Sequence, residues 1–343
     1  MMNKKRRRVT LQEVAEHAGV SRATASLIVR NSPNISEPTR QKVLKSMREL
    51  GYVYDRVAAN LRSQRSNTIG LIITDVANPF FADLLVGVHH TLEADGYTVI
   101  LGTTFDLEQK QEQLLSTMLE HRVGGVILCP VSKSDPETIE RLAHWNIPIV
   151  LAVREILGLD DYDYVGIDYK GGAEMAVDYL IGKGHRRIAF LGGLSDSSAW
   201  QARKEGYSQA LRRAGIELDE TLIVESPAIR EGGVSSINQV MTLEEPPTAV
   251  FCFNDLVAFG VMESLRSKGL TPGKDLDVVG FDNVRESAMT NPSLTTISSF
   301  ARIIGSKAAE LLHQRILNDD MERRHIVLDP KLEIRESTQS KLL

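Results

Sequence analysis

Short apolar runs alternate with amphipathic stretches from Ser66 onward. TIGLIIT, YTVILGT, GGVILCP and IPIVLAV come first. Such alternation predicts parallel strands buried on both faces and covered by helices. RRIAFLGG, TLIVES, TAVFCFND and DLDVVGFDN repeat the scheme after about residue 168, which predicts two doubly wound α/β lobes built alike. Ahead of Ser66 there is no strand pattern. Residues 10 to 50 instead carry three short helical periods, with Thr10 and Glu13 spaced as a capping box, Ser21 placed to cap the second helix, and Ser36-Glu37-Pro38 opening the third. Gly19 stands between the first two, where a sharp turn needs a residue without a Cβ. Val14, Ala15, Ala18, Val20, Ala25, Ile28, Val29, Val43, Leu44, Met47 and Leu50 supply one small core. Residues 51–67 are polar, with a helical stretch at Arg56 to Leu61 too short to be stable alone. They read as a linker that orders conditionally, or as a flexible tether.

Charge sharpens this division. The chain of 343 residues carries a formal net charge of -5, yet residues 1–65 hold 14 Lys and Arg against 5 Asp and Glu, a net of +9. The rest is therefore at -14. A basic segment joined to an acidic body suits a polyanion such as the phosphate backbone at one end only. Cys129 and Cys252 lie in or beside apolar runs and read as reduced core residues. The basic start MMNKKRRRVT is not followed by an apolar stretch, and no run approaches a membrane span. A cytoplasmic, nucleoid-associated protein is expected, with no membrane partner, metal or cofactor.

The stretch SRATASLIVRN carries an outer side of one arginine, small residues and one leucine. A helix that approaches base edges in the major groove needs such a slim face, with caps turned to phosphate. Arg22, Ala23, Thr24 and Ser26 meet that need, and Leu27, one turn beyond Ala23, suits a thymine methyl.

VTLQEVAEHAGVSRATASLIVRN, ISEPTRQKVLKSMRELGYVYDRVAANLRS, IGLIITDVANPFF, FCFNDLVAFGVMESL, VVGFDNV and NPSLTTI follow one another from about residue 8 to residue 337. In this order and spacing the chain resembles the lac repressor (LacI/GalR) family of bacterial transcription regulators. The resemblance implies an all-α helix-turn-helix headpiece over 1–53, a hinge helix over 54–65, and a core over 66–343 similar to periplasmic sugar-binding proteins. In that core the first lobe would span about 66–166 and 299–327, and the second about 167–298 and 328–339. It also implies a homodimer reading near-palindromic double-stranded operator DNA. Arg22, Ala23 and Leu27 fall at the base-reading positions, although Leu27 replaces the arginine common there. Thr10, Leu11, Ser21 and Asn31 complete the DNA-facing set of the headpiece. Leu61 matches the hinge leucine that wedges into the minor groove, with Arg62 at the adjacent backbone. A hinge helix at 56–63 would form when two copies pair on DNA.

In doubly wound sheets ligands bind beyond the carboxyl ends of the strands. The segments there are DVANPFF, TTFD, REI, GLSDSSAWQAR, NDLVAFG and FDNV, rich in Asp, Asn, Arg and aromatics, as suits a small polar molecule. The resemblance places Asp75, Phe80, Phe81, Arg203, Asn254 and Asp282 at an effector cleft, and Arg154 and Trp200 stand in the same segments. Many sugar-binding relatives carry an acid at the end of the fourth strand, where this chain has Val153-Arg154. With Arg154 and Arg203 both at the cleft, an acidic or phosphorylated carbohydrate becomes more plausible. The other reading turns Arg154 to solvent, or pairs it with Glu155 or Asp160.

The expected function is a sequence-specific regulator, read as a repressor, under allosteric control by a carbohydrate or related polar metabolite. A cytoplasmic sugar-binding protein without a DNA role is the alternative. No Walker loop, zinc-ligand cluster or GxSxG supports an enzyme, and FLGGLSDS is not a dinucleotide fingerprint. His185 in KGHRR reads as structural or surface-exposed. The tail IRESTQSKLL has no heptad extension, so a dimer is expected rather than a tetramer.

Overall fold

The structure is a computed structural model that describes residues 9–29, 32–53, 66–156, 158–159, 161–318 and 320–339. The chain divides into two compact units, 1–65 and 66–343.

The first unit contains α1 (Leu11–Ala18), α2 (Arg22–Val29) and α3 (Glu37–Leu50). The capping box opens α1 in full: Glu13 donates its backbone N–H to Thr10 Oγ1 at 3.3 Å, and Thr10 donates its own to Glu13 Oε2 at 2.7 Å. Gly19 closes the helix at φ 66°. Ser21 Oγ accepts the Thr24 N–H at 3.1 Å and so caps α2. Ser36 departs from expectation, since its hydroxyl pairs with the Thr39 hydroxyl at 2.9 Å and caps no backbone N–H. Val14, Ala15, Ala18, Ala25, Ile28 and Val43 form the buried centre.

The second unit begins with β1 (Thr68–Ile73), α4 (Pro79–Ala94), β2 (Thr98–Thr103), α5 (Glu108–Glu120), β3 (Gly125–Leu128), α6 (Pro136–His144), β4 (Ile149–Ala152) and β5 (Asp163–Ile167). It continues with α7 (Tyr169–Gly182), β6 (Ile188–Leu191), α8 (Ser198–Arg213), β7 (Ile223–Val224), α9 (Arg230–Val240), β8 (Ala249–Cys252), α10 (Asp255–Ser267), β9 (Asp277–Asp282) and β10 (Thr295–Ser298). It ends with α11 (Ala301–Leu317), β11 (His325–Leu328) and β12 (Lys331–Glu333).

Two sheets result, in the orders β11-β5-β4-β3-β1-β2 and β12-β10-β9-β8-β6-β7. Every pairing is parallel except β10 with β12. Strands β3, β4, β6 and β8 are buried along their whole length, as helices on both faces require. The chain passes between the sheets three times, after β5, after β10 and after β11. Helix α11 thereby returns to the first sheet and packs on α4. That crossing is close because of two glycines. A Cβ at Gly87 would stand 2.1 Å from the Arg302 carbonyl oxygen, and one at Gly305 2.1 Å from that of Leu84.

Two buried charge clusters tie the late strands in place. Arg315 Nε donates to Asp163 at 2.9 Å, both side chains being essentially inaccessible. Asp277 binds Lys183 Nζ at 2.7 Å and His185 Nε2 at 3.0 Å, so His185 is a buried structural residue. Cys129 and Cys252 are buried free thiols, and burial pushes the Cys129 thiol up to about 12.

Candidate functional site

Helix α2 presents the headpiece's slim face. Arg22, its one charged residue, is exposed together with Ala23 and Leu27, the latter at 43 % exposure. Thr24 and Ser26 are half-buried. The Thr10 and Ser21 hydroxyls are exposed but already serve as caps. Leu11 is half-buried and packs against the headpiece core. Asn31, Leu61, Arg62 and the hinge span 54–65 lie outside the described residues.

The second unit holds a cavity of about 550 Å³ between its two sheets, lined by the loops that follow the strands. This is within the range of small-molecule sites. Asp75, Phe80, Phe81, Arg154, Arg203, Asn254 and Asp282 all line it.

The wall from the second sheet is built around Arg203, which α8 carries at 3 % exposure. Its guanidinium carbon lies 4.0 Å from the Phe281 ring centre, 4.4 Å from that of Tyr169 and 4.5 Å from that of Phe253. A cation desolvated among three aromatic faces is held by their quadrupoles. Nη1 donates to the Ala199 carbonyl at 3.0 Å, while Nε has no partner. The Tyr169 hydroxyl beside it is also buried and unpartnered. Burial lowers the Arg203 pKa and raises that of Asp282 well above the carboxylate range, each group opposing the other's shift. Asn254 caps α10: its Oδ1 accepts the Val257 N–H at 2.9 Å, and its Nδ2 donates to the Ala228 carbonyl at 3.0 Å.

Behind it lies Asp255, fully buried, which accepts from the Val284 N–H, the Ser287 hydroxyl and the Thr296 hydroxyl at 2.9, 2.6 and 2.5 Å. Burial pushes its carboxyl up to about 6.

The wall from the first sheet carries Phe80 and Phe81, packed edge to face at 5.1 Å. Asp75, Asp106, Glu108, Lys133 and Arg154 are its charged members among the described residues. The Arg154 side chain turns neither to solvent nor to Glu155: Nη1 donates to Asp106 Oδ1 at 2.7 Å. Two residue pairs among the described residues join the lobes beside the cavity. Ser198 Oγ accepts the Glu155 N–H at 3.2 Å and donates to its carbonyl at 3.1 Å, and Lys133 lies 3.5 Å from Asp196.

Trp200 does not line the cavity. Its indole N–H donates to the Gly192 carbonyl at 3.1 Å and its ring packs beside Phe190. Its place on α8 turns it into the lobe, and the adjacent Ala199 lines the cavity instead. Reasoning from the sequence missed Tyr169, Asp106, Ser132 and Lys133. Asp106 stood in a quoted segment, TTFD. Tyr169 follows β5, which the alternation did not flag, and Ser132 and Lys133 follow β3, whose trailing loop was not read.

Two family models match this chain. Bacterial regulatory proteins of the lacI family match residues 10–55, and the periplasmic binding proteins and sugar binding domain of the LacI family match residues 66–335. The chain belongs to the LacI family. It is a DNA-binding transcriptional regulator with a ligand-binding core. Among LacI-family relatives, catabolite control protein A of Priestia megaterium is 34% identical over 332 residues, covering 96% of this chain and 99% of that protein. The structure resembles the lac repressor dimer bound to operator and the anti-inducer ONPF, with a TM-score of 0.83 at 26% identity over 97% of this chain and 99% of that one. It also resembles the complex of the transcriptional regulator CelR with cellobiose, at 0.74 and 32% over 96% and 100%. Family members are regulators, not enzymes. Among the described residues no helix is long and apolar enough to cross a membrane.

Proposed function

We propose that the chain is an operator-binding repressor, acting as a homodimer on near-palindromic double-stranded DNA, and that its core senses a small carbohydrate or related polar metabolite. The observation that carries the effector reading is the Arg203 cluster. A buried cation with an unpartnered Nε stands beside an unpartnered tyrosine hydroxyl and the carboxyl group of Asp282, in a roomy cavity walled by aromatic rings. Buried polar groups without partners are rare and costly, and hydroxyl groups arriving on a ligand satisfy them. Aromatic faces cover the apolar side of a sugar ring.

Base reading falls to Arg22, Ala23 and Leu27 of α2. Phosphate attraction comes from the basic N-terminal segment and weakens with salt. Effector and operator binding are coupled through the two lobes, and the coupling is reciprocal: operator shifts effector affinity by the factor that effector shifts operator affinity.

The test is a gel shift of the full chain on its own upstream region, repeated with any carbohydrate that raises the unfolding midpoint in a screen including cellobiose and ribose. Retention of that duplex over random competitor, and a change of retention with the hit, are the expected results. No duplex preference at moderate salt, with or without metabolites, overturns the reading.

A further inference from the structure

The carbohydrate reading, on which this inference rests, leaves open the charge of the ligand. Among the described residues two cations besides Arg203 line the cavity, and both are engaged. Lys133 lies 3.5 Å from Asp196. Arg154, 12 % exposed, donates Nη1 to Asp106 at 2.7 Å and to the Pro130 carbonyl at 3.3 Å. Asp106 is itself held from the other side, accepting the Ser132 N–H and the Ser132 hydroxyl at 3.1 Å each. Beyond these two couples the lining holds Asp75, Glu108 and Asp282 against Arg203.

The backbone under this ion pair is left-handed on both sides. Phe105 and Asp106 have φ of 50° and 57°, and Val153 has φ 70°. The Arg154 N–H folds back to the Ala152 carbonyl at 2.8 Å, which makes a three-residue turn about Val153. A β-branched residue in this region is a genuine outlier, and a left-handed turn of this size is rare and strained. Such strain persists only where the surroundings enforce it, and it clusters at ligand sites. Here it aims the two charges at each other from the ends of β2 and β4, and the loop after β3 supplies Ser132 between them.

We propose that Asp106 is a specificity-determining residue, an internal counterion that occupies Arg154 so that the cavity admits a neutral polyhydroxylated ligand and rejects its phosphorylated or carboxylated counterpart. An incoming anion at Arg154 would meet a cation whose charge Asp106 already offsets, and would set a second negative charge beside that carboxylate in a partly buried wall. It would also face the half-buried Asp75 across the cavity. A hydroxyl meets neither penalty, because the contacts of Arg154 run through Nη1 and its remaining N–H groups are donors for it.

The test uses the full-length protein with Asp106→Asn, Arg154→Gln and the double variant. Asparagine keeps an acceptor for the Ser132 N–H and loses the charge. Thermal unfolding is followed in inorganic phosphate against sodium chloride of equal ionic strength. Calorimetry compares glucose with glucose 6-phosphate, and ribose with ribose 5-phosphate. Relative to chloride, the core transition of the wild type is expected to show only the gradual rise that phosphate gives folded proteins in general, and that of Asp106→Asn to gain a saturable rise on top of it. The affinity ratio of phosphosugar to sugar should increase at least tenfold in Asp106→Asn and return in the double variant. A wild type that prefers the phosphorylated member, or a folded Asp106→Asn with unchanged ratio and no saturable phosphate response, overturns the proposal. Should Asp106→Asn misfold, Arg154→Gln decides: unchanged exclusion of phosphosugars supports it, and a fall in phosphosugar affinity from the wild-type value sinks it. If no sugar of either kind binds any variant, the carbohydrate reading fails, while the phosphate response still decides the role of Asp106.

Discussion

The candidate contact residues of the two units are held in opposite ways. On α2, Arg22, Ala23 and Leu27 stand on an outward face, and the hydroxyls at the helix starts are satisfied by capping before anything binds. In the cavity, Arg203 and Tyr169 are buried with polar atoms that lack a partner, and Asp282 has φ 115°. A preformed helix face acquires its contacts by approach, so its side chains matter to binding and little to folding. A cavity wall holds desolvated groups whose stabilisation is completed by a ligand, so there binding and folding are coupled. Arg203→Met should separate the two regions most sharply. Two hydrogen bonds to a charged group, at about 1.5–3 kcal/mol each, set the expected loss of effector affinity at roughly 100-fold or more. The unliganded core should keep its unfolding midpoint or gain slightly, because exchanging a poorly satisfied buried charge for an apolar side chain is often neutral or stabilising. Calorimetry and thermal unfolding on the same samples check both, and operator retention without effector should be unchanged. Collapse of the unliganded core would show that Arg203 is a structural cation rather than a ligand-facing one.

The coupling of folding to charge in the core should also appear as a pH dependence. Asp255 is raised from 3.8 to about 6, chiefly by burial. A carboxyl whose folded pKa lies above its unfolded value stabilises the fold below the unfolded pKa, and that contribution is lost as pH rises through the folded value. Core stability should therefore fall between about pH 3 and 7, most steeply between the unfolded value of 3.8 and the folded value of about 6, by up to about 3 kcal/mol from this group. Asp282 shifts in the same direction. Denaturant titrations of the full chain across this window measure the slope, and Asp255→Asn should flatten it, at the expense of the acceptors that Val284, Ser287 and Thr296 use. A slope of the opposite sign would mean that Asp255 is ionised in the fold at all these pH values.

The same contrast explains what could be read in the sequence. Helix starts are local: Thr10 with Glu13, Ser21 and Gly19 act within a few residues, and each does in the structure what its spacing requires. Ser36 departs from it, pairing with the Thr39 hydroxyl without accepting a backbone N–H. The alternation of strands and helices was legible because a parallel sheet buries both faces. Strand β5, DYVGI, was not, because Tyr164, Gly166 and the buried charge of Asp163 break its apolar run. In the cavity, sequence reasoning located the segments and not the directions. Trp200 and Arg203 lie one turn apart on α8, yet one faces the lobe and the other the cavity. The Arg154 partner lies 48 residues away, and the left-handed backbone that aims it has no signature in a valine.

The smallest expected effects belong to the headpiece, and they set the two roles of its opening helix turn against each other. Ser21→Ala removes the oxygen that accepts the Thr24 N–H at 3.1 Å. Loss of such a cap costs about 1 kcal/mol. Because the headpiece core is only a handful of side chains, that should lower the midpoint of a headpiece unfolding transition visibly. Arg22→Ala, one residue along, touches no cap and leaves the core intact. It should leave that midpoint within about 0.5 kcal/mol of wild type. Its cost should appear as weaker discrimination between the operator and random duplex, by about 1–3 kcal/mol if it reads a base edge. Gel shifts with specific and random competitor at two salt concentrations separate that outcome from a phosphate contact, which would weaken both duplexes alike and reduce the salt dependence. Equal loss on both duplexes would place Arg22 on the backbone and leave the reading of bases to Ala23 and Leu27.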